Sequence, residues 1–378
     1  MVLAIKLADK YLGGLLCRIL GIFSRKKIIG ETKKILVIQL WGIGETVLVL
    51  PSIEALRKKY PQATIDILAT KRNNEVFFNN KHADNILTIE TGPSSLLKFI
   101  IKNFKKYDLV IDMEEYLNIS AILSFFTGKS AIGYSNGARS KLYNIRIRYN
   151  DQQHASETFL DLIRALDNIP KIKSLQIIHY SKKDKNNVDN FLKINGIGKK
   201  DFLVCVAPGA AESAKSRIWP LERYAELCDE IISKHNAKII FVGTSDENQL
   251  VETIIKGIEK KTSAINSTGK ITLKELFYLI EKSKLFIGND SGPMHIAAAQ
   301  GTKTLGLFGP NIPLRFGPIG KGNIGLYKGY NCEFSPCINV HKGQVPDCMY
   351  PKNSNDYQKC MKNISVDDAL KEVEKLIS

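Results

Sequence analysis

From Lys34 onward, short apolar runs rich in β-branched residues alternate with longer amphipathic stretches. This alternation restricts the fold more than any other feature, because it is the pattern of βαβ units built on a parallel sheet. "ILVIQ" at 35–39, "TIDIL" at 64–68, "DNILTI" at 84–89 and "YDLVIDM" at 107–113 read as strands of a first sheet. A lysine- and asparagine-rich segment at 180–201 then breaks the rhythm. It restarts with "FLVCVAP" at 202–208, "AKIIFVG" at 237–243, "SAIN" at 263–266, "KLFIGND" at 284–290 and "KTLGLFGP" at 303–310. The expected fold class is therefore α/β, with two Rossmann-like, doubly wound parallel-sheet domains facing across a cleft. A ligand is expected at the carboxyl ends of the strands. The expected divisions are an amphipathic segment at 1–30, a first domain at 31–180, a linker around a short helix at 181–201, a second domain at 202–363 and a terminal amphipathic helix at 364–378. Ser365 is the expected N-cap of that last helix.

Length supports two domains, since 378 residues exceed one core of ordinary size. The net charge of +16 comes mostly from scattered lysines. It implies a positive surface suited to phosphates, acidic glycans or anionic lipid, and no nucleic-acid partner. The seven cysteines form no closely spaced secretory framework and no cleavable signal peptide is evident, so a reducing cytosol is the expected compartment. In the first 27 residues Lys6, Asp9, Lys10 and Arg18 interrupt the apolar run too often for a spanning helix. Leu3, Leu7, Leu12, Leu15, Leu16, Ile19, Leu20 and Phe23 share a broad apolar face, followed by Arg25, Lys26 and Lys27. The segment reads first as a membrane-surface anchor and second as a helix packed on the protein's own body, with Gly13, Gly14 and Gly21 weakening it.

Three stretches carry the chemistry. "GNDSGPMHIAAAQGT" at 288–302 reads as a strand end, a turn and the start of a small-residue helix. The first N–H groups of such a helix lack internal partners, which makes a natural diphosphate site flanked by Asp290 and His295; alone, the same turn is also an ordinary capped helix start. "QLWGIGE" places Gly42 and Gly44 in a tight turn and Glu45 at the top of the first sheet. Val47 stands where a dinucleotide fingerprint needs its third glycine, which disfavours a nicotinamide enzyme. A carboxylate at Glu45 suits a general base, or simply a favourable helix-start acid. "APGAAESAKSRIWP" puts Gly209 and Ala210 at a strand end and Lys215 and Arg217 in a basic loop, where Arg217 would pair with phosphate oxygens or remain a solvated charge. In "FVGTSDEN", Glu247 lies just beyond a strand, placed to accept hydrogen bonds from ribose hydroxyls or to start a helix.

Together with "KILVIQLWGIGETVLVLPSIEALRKKYPQATIDIL", "VGTSDE" and "GNDSGPMHIAAAQGTKTLGLFGP", these stretches resemble glycosyltransferase family 9, the heptosyltransferases of lipopolysaccharide assembly, in order and spacing. The resemblance implies the GT-B fold and an inverting, metal-independent transfer. The sugar would pass from a nucleotide diphosphate donor, usually ADP-heptose, to a lipid-linked core glycan at the inner face of the bacterial inner membrane. No cofactor is implied. It assigns Glu45 to catalysis. Gly44, Gly209, Ala210, Lys215, Arg217, Glu247, Asp290, Ser291, Gly292, Pro293, Met294 and His295 go to the donor, and Arg139 and His154 to the acceptor side.

The chain departs from the family pattern twice. Glu45 stands where the family places aspartate, moving the carboxylate by about one C–C bond, ~1.5 Å. Ile119 precedes Ser120 where a basic residue is usual, and Glu114 and Glu115 are added. Cys332, Cys337, Cys348 and Cys360 lack the paired spacing of common zinc sites; packed, reduced thiols are expected ahead of a metal site, with a disulfide third. A sugar-nucleotide epimerase and a non-catalytic nucleotide-sugar binder are the rival readings.

Overall fold

The computed structural model describes residues 7–23, 30–90 and 92–378. The chain divides into two compact units: one reaches Ile172 and includes Val340–Gly343, and the other holds Lys173–Asn339 and Gln344–Ser378.

In the N-terminal unit a π-helical turn, Asp9–Gly13, leads into α1 (Gly14–Ile22). Then follow β1 (Lys34–Ile38), α2 (Ile43–Lys59), β2 (Thr64–Ala69), β3 (Asn85–Thr88), α3 (Pro93–Lys102), β4 (Tyr107–Asp112), α4 (Asn118–Thr127), β5 (Gly128–Tyr134), β6 (Ile145–Ile147) and α5 (Ala155–Arg164). The six strands are parallel in the order β3-β2-β1-β4-β5-β6. The runs of Ile, Leu and Val in β1 and β4 are buried because helices cover both faces of the sheet. One face carries α1, α3 and α4 around Leu36, Ile38, Val110 and Leu123; α2 and α5 pack together elsewhere.

The C-terminal unit repeats the plan with α6 (Lys182–Ile194), β7 (Leu203–Ala207), α7 (Leu221–His235), β8 (Lys238–Phe241), α8 (Asn248–Gly257), β9 (Ala264–Asn266), α9 (Leu273–Lys282), β10 (Leu285–Asn289), α10 (Gly292–Ala299), β11 (Lys303–Phe308), β12 (Asn323–Tyr327) and α11 (Val366–Ile377). Its sheet order, β12-β11-β10-β7-β8-β9, is the same winding. In each sheet the chain reverses direction beside its first strand, between β1 and β4 and between β7 and β10. In open α/β sheets ligands sit at this switch, beyond the strand carboxyl ends.

The division between units falls at Ile172–Lys173, ahead of the expected linker at 181–201. That polar stretch is mostly α6. Ser181 and Asp184 form its capping box, Val188 and Leu192 are buried, and Asn187 and Asp189 bond Glu275 and Tyr278 of α9 at 2.7 and 2.9 Å. Its lysines and asparagines are the solvated side of a packed helix. Ser365 caps α11 as expected, with Asp368 completing the box.

Candidate functional site

At the end of β10 the apolar strand meets Asn289, a fully buried amide that ties the strand ends together. Its Oδ1 accepts from Trp219 N (3.2 Å) and from the Tyr224 hydroxyl (2.9 Å), and its Nδ2 donates to Pro208 O (2.6 Å) and Gly209 O (3.2 Å). Asp290, 4% exposed, then accepts from Asn311 Nδ2 at 3.0 Å. Arg217 lies against the same residue, donating from Nη1 to Asp290 O at 3.0 Å and standing 3.4 Å from its Oδ2. Ser291 is the extended N-cap of α10, with Pro293 in the first turn, and no side chain caps the helix. The positive end of α10 is therefore uncapped at the switch point. Ser291 Oγ and Arg217 Nε, both buried, have no hydrogen-bond partner within the protein. Buried polar groups in that condition call for an explanation, and a ligand with acceptor oxygens is one.

Gly209 and Glu247 meet at the same strand ends. A Cβ on Gly209 would fall 1.7 Å from Glu247 Oε1, and one on Gly243 would fall 2.5 Å from its Oε2, so the Glu247 carboxylate occupies the space these two glycines leave open. Glu247 Oε2 accepts from Thr244 N at 2.7 Å, forming a capping box. The structure thus brings Gly209, Arg217, Glu247, Asp290, Ser291 and the start of α10 to the ends of adjacent strands. Lys215 is exposed on the same loop, and Ala210 follows Gly209. Met294 turns the other way: its side chain is fully buried, its sulfur against Gly306 of β11, and its N–H donates to Ser291 O at 3.2 Å. His295 is buried in the first turns of α10.

The tail beyond β12 braces this loop. Gln358 Nε2 donates to Lys215 O (3.0 Å) and Ile218 O (3.3 Å), and Trp219 Nε1 donates to Ile364 O (3.0 Å). Cys332, Cys337, Cys348 and Cys360 line one cavity with Ser216, Pro310 and Lys359, and all four are free. Burial, with the neighbouring thiols, pushes Cys337 up to about 11 and Cys360 up to about 12, so both are protonated at neutral pH.

In the N-terminal unit Gly42 adopts φ +72°, and a Cβ there would lie 1.9 Å from Glu45 Oε2. Glu45 is half-buried in the first turn of α2 and folds back over this glycine; Gly44 is buried. The preceding turn hangs on Glu114, whose Oε1 accepts from Leu40 N (2.6 Å) and Trp41 N (2.9 Å). Burial first, then the charge of Asp112, pushes the Glu114 carboxyl up to about 8, against the pull of those two amides. Burial and the Glu114 and Glu45 carboxylates also raise the pKa of the nearby Tyr116 hydroxyl.

Arg139, expected on the acceptor side, is 1% exposed. Its guanidinium donates to Asp112 Oδ2 and Tyr143 Oη at 2.8 and 2.6 Å, and to Glu114 O. Its contacts hold the floor under the Glu45 turn. His154 caps α5, its Nδ1 accepting from Ser156 N at 3.2 Å. Asn289 and Glu114 are the positions that sequence reasoning gave no role; the signal for Asn289 was a polar side chain closing an apolar strand. Among the described residues, no group of three or more His, Cys, Asp or Glu is placed to hold a metal ion.

A family model for glycosyltransferase family 9 (heptosyltransferase) matches residues 101–342. The lipopolysaccharide core heptosyltransferase OpsX of Haemophilus influenzae is 27% identical over 301 residues, covering 76% of this chain and 82% of the relative. The crystal structure of a family 9 glycosyltransferase from Veillonella parvula matches with TM-score 0.77 at 23% identity, covering 93% of this chain and 99% of that one. The structure of Escherichia coli ADP-heptose lipopolysaccharide heptosyltransferase II matches with TM-score 0.71 at 20% identity, over 91% and 98%. Those two likenesses establish the fold.

Proposed function

This chain belongs to glycosyltransferase family 9, the heptosyltransferases, and from that premise we propose that it moves a heptose from ADP-heptose to a lipopolysaccharide core glycan, with inversion and without a metal ion. The uncapped start of α10, flanked by the unspent Ser291 Oγ and Arg217 Nε, carries the reading. There the donor's pyrophosphate replaces missing hydrogen-bond partners, and Glu247 receives the ribose hydroxyls.

The chemistry is a single displacement. Glu45 takes the proton from the acceptor hydroxyl, and that oxygen bonds to the anomeric carbon. The bond from this carbon to the diphosphate breaks, and ADP leaves with the electron pair. The α10 amides and the Arg217 guanidinium stabilise the charge that develops on the leaving group, the task a divalent cation performs in other transferases. The glutamate in place of aspartate is accommodated because the side chain folds back over Gly42. The N-terminal helix attaches the enzyme to the cytoplasmic face of the membrane that carries the acceptor.

Incubation with ADP-heptose and heptose-deficient core acceptor, with excess chelator present, tests this reading. Transfer with inverted anomeric configuration is expected, and Glu45→Gln is expected to lower kcat by about 10²–10⁴-fold while leaving donor affinity nearly unchanged. Full-rate transfer by Glu45→Gln would contradict the base assignment. Abolition of transfer by the chelator would contradict metal independence.

A further inference from the structure

The helix α3 is apolar on two sides. Leu96, Phe99 and Ile100 pack inward on the core, while Leu97 and Ile101, with Phe104 in the turn just after the helix, are 59%, 69% and 61% exposed. The outward three follow helical spacing, so they form one ridge rather than scattered residues, and a helix apolar on both sides normally has a second partner. Exposed Lys98 and Lys102 lie on the same helix, and residues 93–106 contain no Asp or Glu.

The helix α1 repeats the design. Gly13, Gly14 and Cys17 face the protein, whereas Leu12, Leu15, Leu16, Ile19 and Phe23 are exposed beside Lys10 and Arg18. The one acid of residues 7–23, Asp9, is engaged inward, accepting from Asn118 N and Ile119 N at 2.9 and 2.7 Å. Leu3 and the cationic run at 25–27, expected to extend this face, lie outside the described residues. Both helices pack on α4 over the same sheet face, and Phe126 of α4 lies 6.5 Å from Phe104, ring to ring.

We propose that α1 and α3 together form a lipid-docking face of the N-terminal unit, lowering two apolar ridges into the headgroup boundary of an anionic leaflet. Two basic-flanked convex ridges match a surface that is apolar below and anionic above. A second copy docking symmetrically would set lysine against lysine. Two separate attachments also fix the orientation of the unit, which a single helix leaves free to turn. The inference rests on the membrane part of the proposed function and is independent of the transfer chemistry.

The test uses the full chain with residues 1–27 intact. Leu97→Ser combined with Ile101→Ser is expected to weaken binding to phosphatidylcholine vesicles containing phosphatidylglycerol by about tenfold or more at low salt. The melting temperature and the rate on a lipid-free acceptor should be unchanged, which separates this result from any failure of the transferase reading. Phe104→Trp should shift its emission to the blue on adding those vesicles. Unaltered binding by the double variant overturns the proposal. So does equal wild-type binding to pure phosphatidylcholine, or a blue shift that follows protein concentration without lipid.

Discussion

Asn289 and Glu114 are single buried polar groups on which the two strand-end turns depend. Removing the Asn289 amide strands the Trp219 N–H and the Tyr224 hydroxyl in a dry interior. Asn289→Ala is therefore expected to cost about 2–5 kcal/mol in denaturant unfolding, where a surface asparagine would cost almost nothing. Glu114 has a pH signature. Its folded-state pKa of about 8 lies above the ordinary carboxylate range, so between those values the folded state keeps a proton that the unfolded state has lost. Stability from this residue consequently falls as pH rises toward 8. Glu114→Gln should remove that fall, its melting temperature gaining on the wild type by several degrees across the window; parallel curves would place the group elsewhere. Neither role was legible as such in the sequence. The side-chain hydrogen-bond partners named for them lie 65 or more positions away, and a motif records only identity and spacing.

At the level of elements, glycine had two meanings. In residues 9–22 three glycines read as weakening a helix, yet the helix forms, and two of them let it approach the body. A Cβ at Gly13 would lie 2.9 Å from Asn118 Cβ, and one at Gly21 would lie 2.7 Å from Lys141 Cβ. The close contact supplies what intrinsic propensity withholds. Gly13→Leu should lift α1 from α4 and expose Cys17, whose thiol burial pushes up to about 12. Labelling by a neutral-pH thiol reagent should then rise at least several-fold, and a Cys17 that stays protected would contradict this packing. Of the two expected readings of this segment, the packed helix describes its inward side, and the anchor reading concerns the exposed apolar side, on which the proposed membrane attachment rests. Likewise the polar stretch at 181–201 looked like a linker because its solvated side dominates its composition. The short helix expected within it is α6, which Val188 and Leu192 hold to the second unit.

For the whole molecule, the two parallel sheets were readable because their central strands, buried on both faces, are short runs rich in Ile, Leu and Val, and that pattern survives without tertiary information. The placement of donor-motif residues at the ends of β7, β8 and β10 followed from the same alternation. What was not readable is β5, β6 and β12, which are short of such residues or only a few residues long, and the path of the chain after β12. Val340–Gly343 belongs to the N-terminal unit, with Tyr149 stacked on His341 at 4.4 Å, and the remaining tail buttresses the Arg217 loop. Such returns depend on single contacts with no periodic signature. The positive charge is also a property of the whole chain, and it suits the anionic donor and anionic leaflet proposed above.

The central claim is that amides at the start of α10 and the Arg217 guanidinium hold a pyrophosphate. A crystal structure of the protein with ADP, grown in chelator, tests it most directly. The account predicts diphosphate oxygens within hydrogen-bond distance of the α10 first-turn N–H groups, Ser291 Oγ and Arg217 Nε, with the ribose at Glu247. ADP bound elsewhere, or a diphosphate that touches none of these atoms, would contradict it.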